Sequence, residues 1–146
     1  MRNILRCAQA SFAMSLLSIS VAAAMEMRMY DRLSASDQGT YVALMITGAH
    51  KILVDAGRNE EAVKFSKLFN EVRPGDQMSV GMLELEANID NVRVLDADRY
   101  AKDHSVQRLE VEQAMALTLK RNGIVMPKAF MHVNDGFKPR DPLQNE

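Results

Sequence analysis

The sequence predicts an all-α fold: a compact bundle of about four helices that follows an N-terminal signal peptide. Three observations predict it. Between residues 34 and 121 apolar residues recur at helical spacing in four segments, and no segment shows the strict alternation of a half-buried strand. Capping residues open those segments, and glycine or proline closes them. The first 24 residues have the three-part composition of an export signal.

Residues 1–24 begin with Arg2 and Arg6 as a positive region and continue through an apolar stretch, Ser11–Val21. They close on Ala22-Ala23-Ala24, a small-x-small cleavage pattern. The apolar stretch is short and is diluted by four serines, whereas a spanning helix needs about 20 mostly apolar residues. The first acidic residue, Glu26, lies just past the cut. A mitochondrial presequence would spread its arginines along an amphipathic helix, and here both lie within the first six residues. Cleavage after Ala24 leaves residues 25–146, with 16 basic against 19 acidic side chains, a formal −3. That balance creates no field to hold nucleic acid or an anionic membrane. The one cysteine, Cys7, lies inside the signal, without the sequence context of a lipoprotein anchor. The remaining domain therefore has no disulfide, thiol nucleophile or cysteine metal ligand, and export points to a periplasmic or secreted location.

Residues 25–137 read as the helical domain, with Met25–Leu33 as a lead-in. Ser34 or Ser36 caps the first helix, with Asp37 in its first turn. Tyr41, Met45, Ile52 and Ala56 recur at helical spacing, widened by Val42, Ile46, Ala49 and Leu53, and Gly57 ends the run. Gly39 and Gly48 inside this helix imply close approach of another helix. Asn59 caps the second helix, whose stripe is Ala62, Phe65, Leu68, Phe69 and Val72, and Pro74-Gly75 stops it. Asp76 caps the third. Its stripe, Met78, Met82, Leu85, Ile89, Val92 and Leu95, is close to a heptad seam, leaving Glu84, Glu86 and Asp90 to face water. Ser105 begins the fourth, with Val106, Leu109, Ala116 and Leu119 on one face beside Val111, Ala114 and Met115. Lys120-Arg121-Asn122-Gly123 closes it. Phe130, Val133 and Phe137 are spaced to pack across the domain, and residues 138–146 read as a flexible tail.

Residues that carry chemistry are scattered. Met25, Met27 and Met29 are soft thioethers at the new N-terminus, and exported methionine clusters can hold Cu(I). Softness alone makes no site, and Met45, Met78, Met82 and Met115 read as core filler. His50, His104 and His132 are 54 and 28 residues apart and lack zinc-ligand spacing. Asp96, Asp98 and Asp103 hint at a calcium loop, but Ala101 stands where its glycine belongs and Gln107 where its final glutamate belongs. That segment reads as a solvated turn between the third and fourth helices, with the third helix either continuing through Ala97 to Tyr100 or breaking near Asp96. The pairs Glu84/Glu86 and Glu110/Glu112 point about 200° apart on a helix, so neither can work as an acid–base dyad. No nucleophile elbow, Walker loop or Ser-x-x-Lys occurs. The sequence thus assigns no catalytic, cofactor or metal residue and describes a chain that is not an enzyme.

Tyr41-Val42-Ala43-Leu44-Met45-Ile46-Thr47-Gly48 and the later Ala114-Met115-Ala116-Leu117, running on to Met126-Pro127, carry a family likeness. In these features and their order after a signal peptide, the chain resembles the small periplasmic immunity proteins that guard bacteria against type VI secretion amidases, the Tai type. The likeness spans Tyr41–Pro127. This chain lacks the cysteines that flank the family's middle region, so the family's toxin contacts are not carried to any position here. The resemblance implies a helical protein that binds a protein partner in an immunity- or inhibitor-like role. The alternative is a periplasmic carrier of a soft metal or small apolar ligand, and the heptad-spaced third helix also admits a homodimer.

Overall fold

The computed structural model describes residues 24–128, 130 and 137. The chain is all-α among those residues. Its elements are α1 (Met27–Tyr30), α2 (Ala35–Asp55), α3 (Asn59–Asn70), α4 (Val80–Lys102) and α5 (Val111–Arg121). The signal region, apart from Ala24, and the tail 138–146 lie outside the described residues, as do His132 and Val133.

Local chemistry explains most boundaries. The Ser34 hydroxyl caps α2, accepting the Asp37 amide at 3.1 Å. Gly57 takes a left-handed φ of 70°, and the amides of Gly57 and Arg58 return to Val54 and Leu53. This doubly bonded stop satisfies carbonyls the helix would otherwise leave open. Gly123 closes α5 in the same way, and its following residue, Ile124, is buried.

Four boundaries differ from the expectation. Asn59 does not cap α3: it is the helix's first residue, and Arg58 stands at the cap position without a side-chain cap hydrogen bond. α3 ends at Asn70, so Val72 falls beyond it and is exposed. The chain is extended from Glu71, whose carbonyl accepts the Val80 amide and closes the loop. Ser79 rather than Asp76 caps α4, its hydroxyl accepting the Met82 amide at 3.3 Å. Ser105 does not begin a helix. It folds back on Asp103, giving its amide at 2.8 Å and its hydroxyl at 2.6 Å to the Asp103 carboxylate, in a turn of the kind aspartate favours. α5 starts six residues later, where the Gln113 side chain accepts the Glu110 amide at 3.2 Å.

α4 packs most extensively on α5, α3 bridges α2 and α4, and α1 rests against α4. The core gathers Met27, Tyr41, Met45, Leu53, Phe65, Leu85, Met115 and Leu119, with Phe130 also buried and Phe137 edge-on to Tyr41. The seam of α4 holds through Leu85, Ile89 and Val92. At the next step the buried residue is Asp96, and Leu95 is 53% exposed. A straight α-helix drifts about 20° per heptad, which rotates the late seam position outward.

Close helix approach occurs at Gly81, not Gly39. A Cβ at Gly81 would meet Phe69 Cδ1 at 2.9 Å and Leu68 at 3.0 Å, whereas one at Gly39 would meet nothing within 4 Å.

Candidate functional site

A surface groove arises because α2 and α4 are not packed closely together. Between them lies a groove of about 320 Å³, floored by Val42, Leu85 and Ile89, with Gly39 and Ile46 on the α2 wall and Gln38 and Glu86 at its rim. A second depression of about 320 Å³ shares Ile46 and Met82 with it and continues to His50, Phe65 and Phe69. From Ala35 to His50 the α2 wall measures about 22 Å at 1.5 Å per residue. The open space at Gly39 is part of this groove. Val42 and Ile46 line it, Val42 buried and Ile46 half-buried.

Sequence periodicity placed Val42, Ile46, Met82, Leu85 and Ile89 on apolar stripes but could not show that two stripes would stay apart. The legible signal was Gly39 in α2. It marks an unfilled wall rather than a helix contact.

The groove's far end holds one of the histidines. His50 Nε2 lies 3.1 Å from Ser66 Oγ, and the His50 ring sits 5.8 Å from that of Phe65. His104 is remote in sequence and packs edge-on to Tyr100 at 4.7 Å. Among the described residues no group of three histidine, cysteine or acidic side chains is placed to hold a metal ion. Met27 is buried in the core and Met29 is 47% exposed, so the N-terminal thioethers diverge across α1.

The proposed solvated turn at Asp96–Asp103 is corrected: α4 runs through it to Lys102. Asp96 is buried and receives the Arg108 guanidinium, with Nε at 2.9 Å, and the Leu109 amide at 2.7 Å. Burial pushes its pKa up, but Arg108 and the Leu109 amide outweigh that and hold the carboxyl below its usual value. Arg108 also lies over the Tyr100 ring at 4.3 Å. The cluster fixes the segment before α5, leaving no open calcium ligand at Asp96.

Sequence reasoning missed Glu112. It is fully buried in α5, and the Tyr41 hydroxyl donates to its Oε1. Among the described residues its Oε2 has no hydrogen-bond partner. Burial pushes the Glu112 carboxyl up to about 7, against the Tyr41 hydrogen bond and backbone amides that favour the charged form. Asn88, also fully buried, donates to Thr118 Oγ1 at 2.9 Å across the α4–α5 contact.

Among the described residues no helix is long and apolar enough to cross a membrane. No protein-family model matches the chain, and neither curated proteins nor solved structures contain a match.

Proposed function

We propose that this chain is exported, is not an enzyme, and binds a protein partner in an immunity- or inhibitor-like role, with the α2–α4 groove as the docking surface. The observation that carries the reading is the groove's length. An apolar trough about 22 Å long suits a segment of a partner protein, such as an amphipathic helix laying its apolar face between two walls. Small-molecule pockets are more enclosed and bury most of their ligand. The signal-like residues 1–24 support a periplasmic or secreted setting for that partner. The second reading, a carrier of a small apolar ligand, draws on one observation: about 320 Å³ lies at the lower end of ligand-pocket volumes. The soft-metal version of that reading rests on methionine content alone.

Gly39→Leu tests the proposal, because it fills the groove from a position with open space and improves helix propensity. The tagged full chain, expressed with its own N-terminal region, is captured from the periplasmic fraction of its source cells beside the Gly39→Leu variant. The expected result is a stoichiometric protein partner with the wild type and its loss with the variant. A partner retained by Gly39→Leu contradicts the groove. Capture of the chain with a small apolar molecule alone favours the carrier.

A further inference from the structure

We propose that cleavage between Ala24 and Met25 builds a buried ion pair: the new α-ammonium of Met25 enters the space between Tyr41 and Glu112 and pairs with the Glu112 carboxylate. This rests on the reading of residues 1–24 as a cleaved export signal. It assigns the new terminus a structural role in the folded core.

Three observations place the nitrogen. The backbone around Met25 is fixed by an antiparallel bridge between Glu26 and Glu110. The Val111 amide donates to the Met25 carbonyl at 3.0 Å, and the Met27 amide to the Leu109 carbonyl at 2.8 Å. These bonds lie on the C-terminal side of the scissile bond and survive the cut. Second, the Met25 nitrogen already donates to the Tyr41 hydroxyl at 3.3 Å, and that hydroxyl donates to Glu112 Oε1. Third, Glu112 Oε2 is buried and has no hydrogen-bond partner among the described residues. A buried acceptor left open is costly, and a carboxylate oxygen more so.

In the uncut chain the Met25 nitrogen is an amide with one hydrogen, directed at Tyr41. A processing peptidase adds water across the Ala24–Met25 bond. Ala24 leaves with the new carboxylate, and Met25 keeps the nitrogen as a primary amine, which takes up a proton. Three N–H groups now stand where one stood. One stays on Tyr41, another is free for Oε2, and the positive charge offsets the burial of the carboxylate. Ala24 is buried in the folded chain, so the bond is cut while the chain is still extended. Folding then draws the terminus in. The groups that face Glu112 are Tyr41 from α2, the Met25 nitrogen and Glu110 from the turn before α5. Glu110 acts against ionisation. Among the described residues no lysine or arginine forms an ion pair with Glu112, so the Met25 terminus is the cation within reach.

The full chain, with residues 1–24, is expressed in a Gram-negative host, and the periplasmic product is weighed intact. Its α-amine is then acetylated at pH 7, and its thermal midpoint is followed from pH 5 to 8. Glu112→Gln and a variant with one threonine inserted after Ala24 are treated alike; the insertion moves the amine while keeping every native side chain. The expected mass is that of residues 25–146, with α-amine acetylation slowed about tenfold for each unit its pKa is raised. Glu112→Gln restores the ordinary rate, and the inserted threonine both restores it and lowers the midpoint between pH 6 and 8. A Met25 terminus that reacts like a free peptide, or equally in wild type and Glu112→Gln, overturns the ion pair and leaves the export reading standing. A mass that retains residues 1–24, or starts elsewhere, overturns both.

Discussion

Glu112 shares a helix face with Met115 and Leu119, three and seven positions on, and all three are fully buried. That spacing was readable in the sequence. What hid the residue was the Leu-Glu-Val-Glu alternation around it, which looks like a solvated face. Its partner Tyr41 is 71 positions away, and no local pattern reveals such a pair. The pH consequence follows in sign. In a chain with Ala24 still joined to Met25, the folded state holds a proton up to about pH 7 that the unfolded chain releases near 4.5. The stabilisation is fully present below pH 4.5 and is lost as pH rises to about 7, a change of up to about 3 kcal/mol. Urea unfolding of the uncut chain at pH 5, 6, 7 and 8 should show this decline; a flat profile would count against a buried neutral Glu112. Two glycines make a second residue-scale contrast. Gly81→Ala places a Cβ 2.9 Å from Phe69 and 3.0 Å from the Leu68 backbone oxygen, so it should destabilise by about 1–3 kcal/mol despite alanine's better helix propensity. Gly39→Ala meets open space and should stabilise by about 1 kcal/mol. Denaturant midpoints of the two variants shifting in opposite directions would bear this out.

Among the elements, α2 was the most legible. Its serine cap, acidic first turn and glycine stop agree with one another and the structure follows them, while the apolar stripe is buried at Tyr41, Val42, Met45, Ala49 and Leu53 but not at Ala56, which lies past the helix end and is exposed. α4 and α5 were less so because several polar residues near their starts compete for the capping bonds, and at α5 the more distant Asp96 also intervenes. Ser79 lies among Asp76, Gln77 and Met78, and only the Met82 amide distinguishes it as the cap. Ser79→Ala should therefore cost about 1 kcal/mol, whereas Asp76→Ala should fall within about 0.5 kcal/mol of wild type. Thermal midpoints of the pair decide the assignment, and an equal or larger loss at Asp76 would reverse it. The start of α5 was misplaced for a related reason. Residues 103–110 contain apolar Val106 and Leu109 at helical spacing, but Asp96 takes the Leu109 amide and the Arg108 guanidinium and holds the segment out of helix. A serine near an apolar run is a cap signal only when nothing else competes for its hydrogen bonds. Here Asp103 does.

On the scale of the whole molecule, stripe positions foretold an all-α chain, but not which stripes would meet. α3 packs against both α2 and α4, and α4 against α5, while α2 and α4 pack less extensively on each other. The groove is the product of that arrangement, and its apolar floor is continuous with the core through Val42, Leu85 and Ile89. The proposed partner would complete what the fold leaves open, covering Ile46 and Met82 where the two depressions join. Hydrogen exchange on the chain with and without its captured partner tests this most directly. Added protection should fall on residues 35–50 of α2 and 82–89 of α4, with the α5 segment 111–121 unchanged. Protection confined to α5 or to the outer face of α3, with the groove walls exchanging as in the free chain, would contradict the account.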